Sequence, residues 1–183
     1  HEVMRAEVPG PVFGKVVAKL KNTAQILYII YLGMFVIFAM ILWICGMPLF
    51  DSIVIAMGGA GTGGFAVYND SIAHYHSDLI TYVVTVGTLL FGVNFNLYFY
   101  ILLRKVKFFF QDEELRTYLT IVAVSTGLII LNIFGIYHSL ADSFKYSFFE
   151  VSNIITTTGF GLTDITKWPL FSQYILLLLM FIG

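Results

Sequence analysis

Charge is what this sequence has least of. Of its 183 residues, 11% are Asp, Glu, Lys or Arg, against about 25% in a soluble domain. With 58% hydrophobic residues, this excludes an ordinary water-soluble domain and defines an all-α integral membrane protein. A formal net charge of −1 leaves no broad basic surface for nucleic acid. Cysteine occurs once, at Cys45, so no intrachain disulfide can form. A thiol inside an apolar run is expected to be buried and inert. Catalytic constellations are missing too: no spacing gathers a nucleophile, a base and an orienting group. Neither a Walker loop nor a dinucleotide fingerprint is present. The sequence does not read as an enzyme, and it implies no covalently bound cofactor.

Long apolar runs are what it has instead. Residues 24–46, 79–103 and 117–137 carry no charge, and each exceeds the ~20 residues a spanning helix needs. A fourth run starts near Leu170 and reaches the last residue, Gly183. As a helix it would rise roughly 21 Å, short of the ~30 Å hydrocarbon core. The chain begins at His1. Both ends read as cut, so the chain is expected to be a piece of a longer protein.

Two shorter apolar segments, 49–60 and 144–155, lie between the spans. Each runs into a Gly/Thr loop, "GTGGFA" at 61–66 and "TTTGFG" at 156–161. Too short to span, they read as re-entrant half-helices; helices lying flat at the membrane surface are the alternative. A shift of 95 residues lays Thr62-Gly63-Gly64-Phe65 on Thr157-Thr158-Gly159-Phe160. Span, half-helix, loop and span therefore recur, and such a repeat defines the architecture. Basic residues set the orientation. Arg5, Lys15, Lys19 and Lys21 precede the first span, and Arg104, Lys105, Lys107 and Arg116 sit between the second and third. Cytoplasmic loops are enriched in Lys and Arg. Segments 1–23 and 104–116 are thus expected inside, with both Gly/Thr loops opening outward. Trp43 and Trp168 fall near that outer boundary, as interfacial aromatics do.

The loops suit one chemistry. Irregular backbone at membrane depth survives only when buried in protein or lining a water-filled cavity. Glycine adopts positive φ without steric cost, so successive carbonyls can turn to one axis and replace the water shell of an alkali cation. The half-helices end at the loops, bringing their partial negative charge. Neither loop carries an acidic residue, which favours a monovalent cation in passage over a stored divalent one. Thr157 is expected to add a hydroxyl at the inner mouth, with Phe65 and Phe160 wedging the loops against neighbouring helices. Glycines that merely let helices pack closely are the plain alternative.

Other polar residues carry less. His74 and His76 with Asp70 and Asp78 could hold a metal, but two histidines in an external loop more often face solvent. Glu150 either faces a water-filled vestibule or anchors its loop through backbone N–H groups. Asn94 and Asn96 are expected to hydrogen-bond between helices.

These features together resemble the Trk/Ktr/HKT superfamily of potassium transporters, nearest its bacterial TrkH branch. The residues carrying the resemblance are "RAEVPGP" at 5–11, "TGGFAVYNDS" at 62–71, "NFNLYFYILLRK" at 94–105, "DEELRTYL" at 112–119 and "TTTGFGLTDITKWPLF" at 156–171. "TTGFG" is also similar to the TVGYG filter of potassium channels. The resemblance implies helix–pore-loop–helix units around a central pore, of which this chain holds the second and most of the third. It implies pore helices at 49–60 and 144–155 and selectivity-filter segments Thr62, Gly63, Gly64, Phe65, Ala66 and Thr157, Thr158, Gly159, Phe160, Gly161, binding K⁺. The signature glycines fall on Gly64 and Gly159. It further implies K⁺ uptake across a bacterial inner membrane, a homodimer, and a cytoplasmic nucleotide-binding regulatory (TrkA-like) subunit that docks on the inner linker. Alternatives on the same scaffold are a sodium or poorly selective cation pathway, or a non-conducting membrane assembly protein.

Overall fold

The computed structural model describes residues 11–102 and 106–183. Among these the chain is helical, with no strand: α1 Pro11–Ile44, α2 Leu49–Ala60, α3 Asp78–Phe91, α4 Phe95–Leu102, α5 Val106–Gln111, α6 Glu113–Tyr137, α7 Leu140–Ile155 and α8 Leu170–Ile182. Short 3₁₀ turns at Ser71–Tyr75 and Ile165–Lys167 follow the two Gly/Thr loops. Arg5, Arg104 and Lys105 of the charge reading lie outside the described residues.

Among the described residues two helices are long and apolar enough to cross a membrane by themselves, Ala24–Ile44 within α1 and Glu113–Tyr137. Local sequence explains where they stop and start. Proline at the first helical position suits α1. The helix closes in a Schellman motif: Gly46 takes φ +97°, Gly46 N–H donates to Trp43 O and Met47 N–H to Leu42 O. The Asp112 carboxylate caps α6 by accepting from Leu115 N–H at 2.9 Å. Ser139 caps α7 through Asp142 N–H, so this helix begins at Leu140 rather than at 144.

The run 79–103 is not one helix. It is α3 and α4, bent by 90° at the intervening residues. Gly92 and Asn94 cause the break. The Asn94 side chain accepts from Asn96 N–H at 3.0 Å, opening α4, and donates to Glu114 at 3.0 Å. Asn94 is therefore a helix cap as well as an interhelical contact. The carbonyls freed at the end of α3 find hydroxyls: Tyr118 donates to Leu89 O and Tyr98 to Leu90 O. At Gly92 an added Cβ would lie 2.7 Å from both the Thr156 methyl and the Tyr118 hydroxyl, so the bend is packed in place beneath the second loop.

Each unit has its own core. Phe38, Leu42, Ile55, Ile72 and Val84 fill the first; Ile129, Ile133, Val151, Leu176 and Leu179 fill the second. Phe149 and Phe160 of the second unit insert into the first core and join the two. The helices α3 and α7 pack together through small hydroxyl residues, Thr81, Thr85 and Thr88 facing inward on one, Ser143 and Ser147 on the other. Their hydroxyls are satisfied within their own helices, which lets the backbones approach closely. At the outer ends Lys145 bridges Asp78 of α3 and Asp142 of α7 at 2.9 and 3.0 Å. Large apolar side chains such as Ile44, Leu131 and Phe181 point outward, the pattern of a surface in contact with lipid.

Candidate functional site

The two Gly/Thr loops share one backbone design. Gly61 and Thr156 end α2 and α7 with φ near −88° and −87°. The next residues, Thr62 and Thr157, sit at φ +49° and +55°. Two residues on, Gly64 and Gly159 sit at +61° and +82°. A β-branched residue at positive φ is an outlier, costing on the order of 1–3 kcal/mol unless its surroundings fix it. Both loops accept this cost at equivalent positions.

Hydrogen bonds supply the fixing. Gly63 N–H and Gly64 N–H both donate to Gly58 O, at 2.8 and 3.2 Å. Thr158 N–H and Gly159 N–H both donate to Asn153 O, at 2.9 and 3.2 Å. In each loop two consecutive N–H groups thus turn to one side, as in a nest. Here a carbonyl at the C-terminal end of the half-helix occupies that nest. This arrangement can offer a row of carbonyl oxygens, free of helix hydrogen bonding, to a cation.

Exposure alternates along the second loop. Thr157, Gly159 and Gly161 are open, whereas Thr158 and Phe160 are buried. The Thr158 hydroxyl pairs with that of Thr156 at 2.8 Å, and Thr156 donates to Ser152 O. Phe160, 2% exposed, packs against Gly58 and Gly59 of α2. In the first loop Thr62, Gly63 and Phe65 are open, and Gly64 and Ala66 half-buried. Phe65 departs from expectation: at 77% exposure it is not wedged as Phe160 is, because among the described residues none stands where α2 stands for Phe160.

The loops meet. A Cβ placed on Gly64 would overlap the Thr158 carbonyl oxygen and lie 2.9 and 3.0 Å from Gly159 C and O. Ile72 N–H donates to Gly161 O, and Gly161 N–H to the Ser71 hydroxyl. The ten residues singled out in the sequence thus form one contiguous feature. Sequence reasoning missed the residues behind it: Gly58 and Asn153, whose carbonyls hold the loops, and Ser71. The "MGGAG" run before the first loop was the available signal.

Elsewhere, the ring of His74 stacks on Tyr68 at 3.6 Å, and among the described residues no metal-binding cluster exists. Tyr75 donates to Asp51 at 2.9 Å; burial, and then that carboxylate, push its phenol pKa above the ordinary value, so it stays a donor. Trp168 is buried and donates to the Tyr137 hydroxyl. Cys45 is half-buried and free.

Re-entrant helices that end in backbone-lined loops, set between membrane-crossing helices and repeated, define a pore-loop membrane protein. Comparison with known proteins narrows this. Residues 2–183 match the TrkH family, described as cation transport protein, and the chain belongs to that family. It is 34% identical over its whole length to the Trk system potassium uptake protein TrkH of Salmonella typhimurium. It is 32% identical over its whole length to the Trk system potassium uptake protein TrkG of Escherichia coli. In each case it spans 38% of the relative's length. The crystal structure of the potassium transporter TrkH from Vibrio parahaemolyticus superposes with a TM-score of 0.83 at 29% identity, covering 88% of this chain and 36% of that one.

Proposed function

We propose that the protein carrying this chain takes up potassium across a bacterial inner membrane, and that loops 62–66 and 157–161 are two segments of its selectivity filter. One observation carries the reading: both loops tie two consecutive N–H groups to a half-helix carbonyl and repeat positive φ at equivalent positions, so carbonyls of the loops other than that of Gly161, which accepts from Ile72 N–H, are available to an ion. Carbonyl oxygens replace the hydration shell of K⁺, and no carboxylate in either loop would hold the ion too tightly. An inside-negative potential favours entry by ~2.3 kcal/mol per charge per 100 mV. Exposed Phe65 and open Gly159 are the faces that further pore-loop units of the whole protein would cover. The relatives are named as parts of a Trk system. In keeping with that, the protein acts as a homodimer with a cytoplasmic nucleotide-binding subunit docked on the 104–116 linker.

The test is growth of cells without their own potassium uptake, on limiting K⁺, complemented by the complete protein or its Gly159→Ser variant. Rescue by the parent, with the variant failing or becoming permeable to Na⁺, is expected. Identical behaviour of the two would remove 157–161 from the filter. Equal K⁺ and Na⁺ uptake by the parent would favour a poorly selective pathway.

A further inference from the structure

Among the described residues only two charged side chains are buried, Asp51 at 4% and Glu150 at 5% exposure. Oε1 of Glu150 has no partner. Asp51, on α2, has one: the Tyr75 hydroxyl donates to it at 2.9 Å. Carboxylates at membrane depth are costly and rarely idle, which directs attention to what Tyr75 is attached to.

Tyr75 closes the turn Ser71–Tyr75 that follows the first loop. The turn is fixed on its own unit in three ways. Ile72 packs into the first core. Tyr68 stacks on His74, and Tyr75 stands edge-on to both. The Tyr75 hydroxyl ties the turn to α2 through Asp51. Its other end reaches out of the unit. Gly161 N–H donates to the Ser71 hydroxyl at 3.2 Å, and Ile72 N–H donates to Gly161 O at 3.1 Å. Gly161 is the last residue of the second loop. Ser71 itself sits at φ +52°, a conformation that a non-glycine residue keeps only when its surroundings hold it there. The residue under strain is thus the one whose hydroxyl takes the Gly161 amide.

The repeat does not carry this strap. The 95-residue shift sets Tyr146 against Asp51, Thr166 against Ser71 and Leu170 against Tyr75, and leucine has no hydroxyl to donate. Asp51, Ser71 and Tyr75 are therefore additions to the scaffold that the two units share.

We propose that Asp51, Tyr75 and Ser71 are positioning residues: the half-helix of the first unit, through the turn after its own loop, holds Gly161 and so sets where the second loop ends. Gly161 is then an anchor, its carbonyl engaged by Ile72 N–H, and the carbonyls of 157–160 are the ones left to an ion. The ion part of this rests on the filter reading above. The holding part does not.

The experiment uses the complete protein with Tyr75→Phe, Asp51→Asn, Ser71→Gly and the control Ile55→Ala. Amide hydrogen exchange at Ile72 and Gly161 is measured beside the K⁺/Na⁺ uptake ratio. Tyr75→Phe deletes one hydroxyl that touches neither amide. It should nonetheless speed exchange at both about tenfold, the loss of one hydrogen bond to a charged group, and lower the ratio several-fold. Asp51→Asn keeps an acceptor oxygen and should stay nearer the parent than Tyr75→Phe on both readings. Ser71→Gly removes the hydroxyl while suiting the positive φ; it should speed exchange at Gly161 and lower the ratio. Ile55→Ala, one turn along α2 from Asp51, opens a cavity without removing a hydrogen bond, so it should lower thermal stability and spare the ratio. Parent-like exchange at Ile72 and Gly161 in Tyr75→Phe would overturn the holding. A parent-like ratio in both Tyr75→Phe and Ser71→Gly would overturn the part played in placing the loop. So would an Ile55→Ala ratio shifted as far as that of Tyr75→Phe. Should Tyr75→Phe fail to accumulate, Ser71→Gly, which leaves the Asp51–Tyr75 bond in place, decides by its Gly161 exchange and its ratio. A parent without K⁺ preference would sink the filter reading, while exchange at Ile72 and Gly161 would still decide whether the turn holds the loop.

Discussion

Gly64→Ala and Gly159→Ala look like the same substitution made in two repeats, yet the structure separates them. Both glycines have positive φ, +61° and +82°, so alanine at either costs about 1–2 kcal/mol in backbone conformation. At Gly159 no described atom of this chain lies within 4 Å of the new methyl, so no clash within the chain adds to that cost. At Gly64 the methyl overlaps the Thr158 carbonyl oxygen and presses on Gly159. These are backbone atoms and cannot rotate away. Overpacking of this kind adds about 1–3 kcal/mol, so Gly64→Ala should cost about 2–5 kcal/mol. Thermal unfolding of the purified complete protein, followed by fluorescence-detected size exclusion, would rank the pair. Gly64→Ala should unfold at a clearly lower temperature and lose uptake; Gly159→Ala should lose less stability. Equal destabilisation would refute the contact between the loops on which the argument depends.

Other perturbations follow from single contacts. Gly87→Ala drives a methyl into the Phe38 ring, 2.6 Å from Cζ, and should cost about 1–3 kcal/mol; Phe38→Leu should recover part of it in a double-mutant cycle of thermal stability. Lys145→Met breaks both ion pairs at the outer end of α7, but leaves two largely hydrated aspartates, so a loss under about 1 kcal/mol is expected in the same unfolding assay, shrinking further at high salt. Tyr118→Phe and Tyr98→Phe each leave an α3 carbonyl without its hydroxyl and should cost about 1 kcal/mol apiece by thermal unfolding. Hydrogen bonds from Thr166 hold the Asp164 carboxyl below the usual carboxylate range. Its stabilisation of the turn Ile165–Lys167 is therefore present above the unfolded pKa of about 4 and lost as pH falls through the lower folded value. Exchange of the Thr166 amide should accelerate only in strong acid.

The repeat was legible because it is written in residue types that tolerate little else. Threonine, then glycine, recurs 95 residues apart, and the same backbone hydrogen bonds recur with it. The break in 79–103 is hidden from hydropathy, although "GVN" at 92–94 carries a helix-breaking glycine and a capping asparagine. Hydropathy counts side chains and is blind to a backbone that turns while staying apolar. Hydropathy alone starts α7 late; the earlier start is carried by Ser139 as a cap, with an acidic residue three positions on, the spacing of such caps. Phe65 and Phe160 occupy equivalent positions, and nothing local distinguishes them. Their burial differs because Phe160 finds α2 behind it and Phe65 finds no such helix among the described residues, which is a property of neighbours rather than of the residue.

The seat of Phe160 on α2 also sets a clock. Gly58 and Gly59 leave the ribosome roughly 100 residues before the ring that covers them, a delay of about 5–20 s at ordinary elongation rates. Through that interval the first loop has its helix and its hydrogen-bond acceptor but not its lid. Translation thus closes one unit only by finishing the next, and a pause between residues 60 and 160 would prolong the time that the glycine face stands open to lipid or to the insertion machinery.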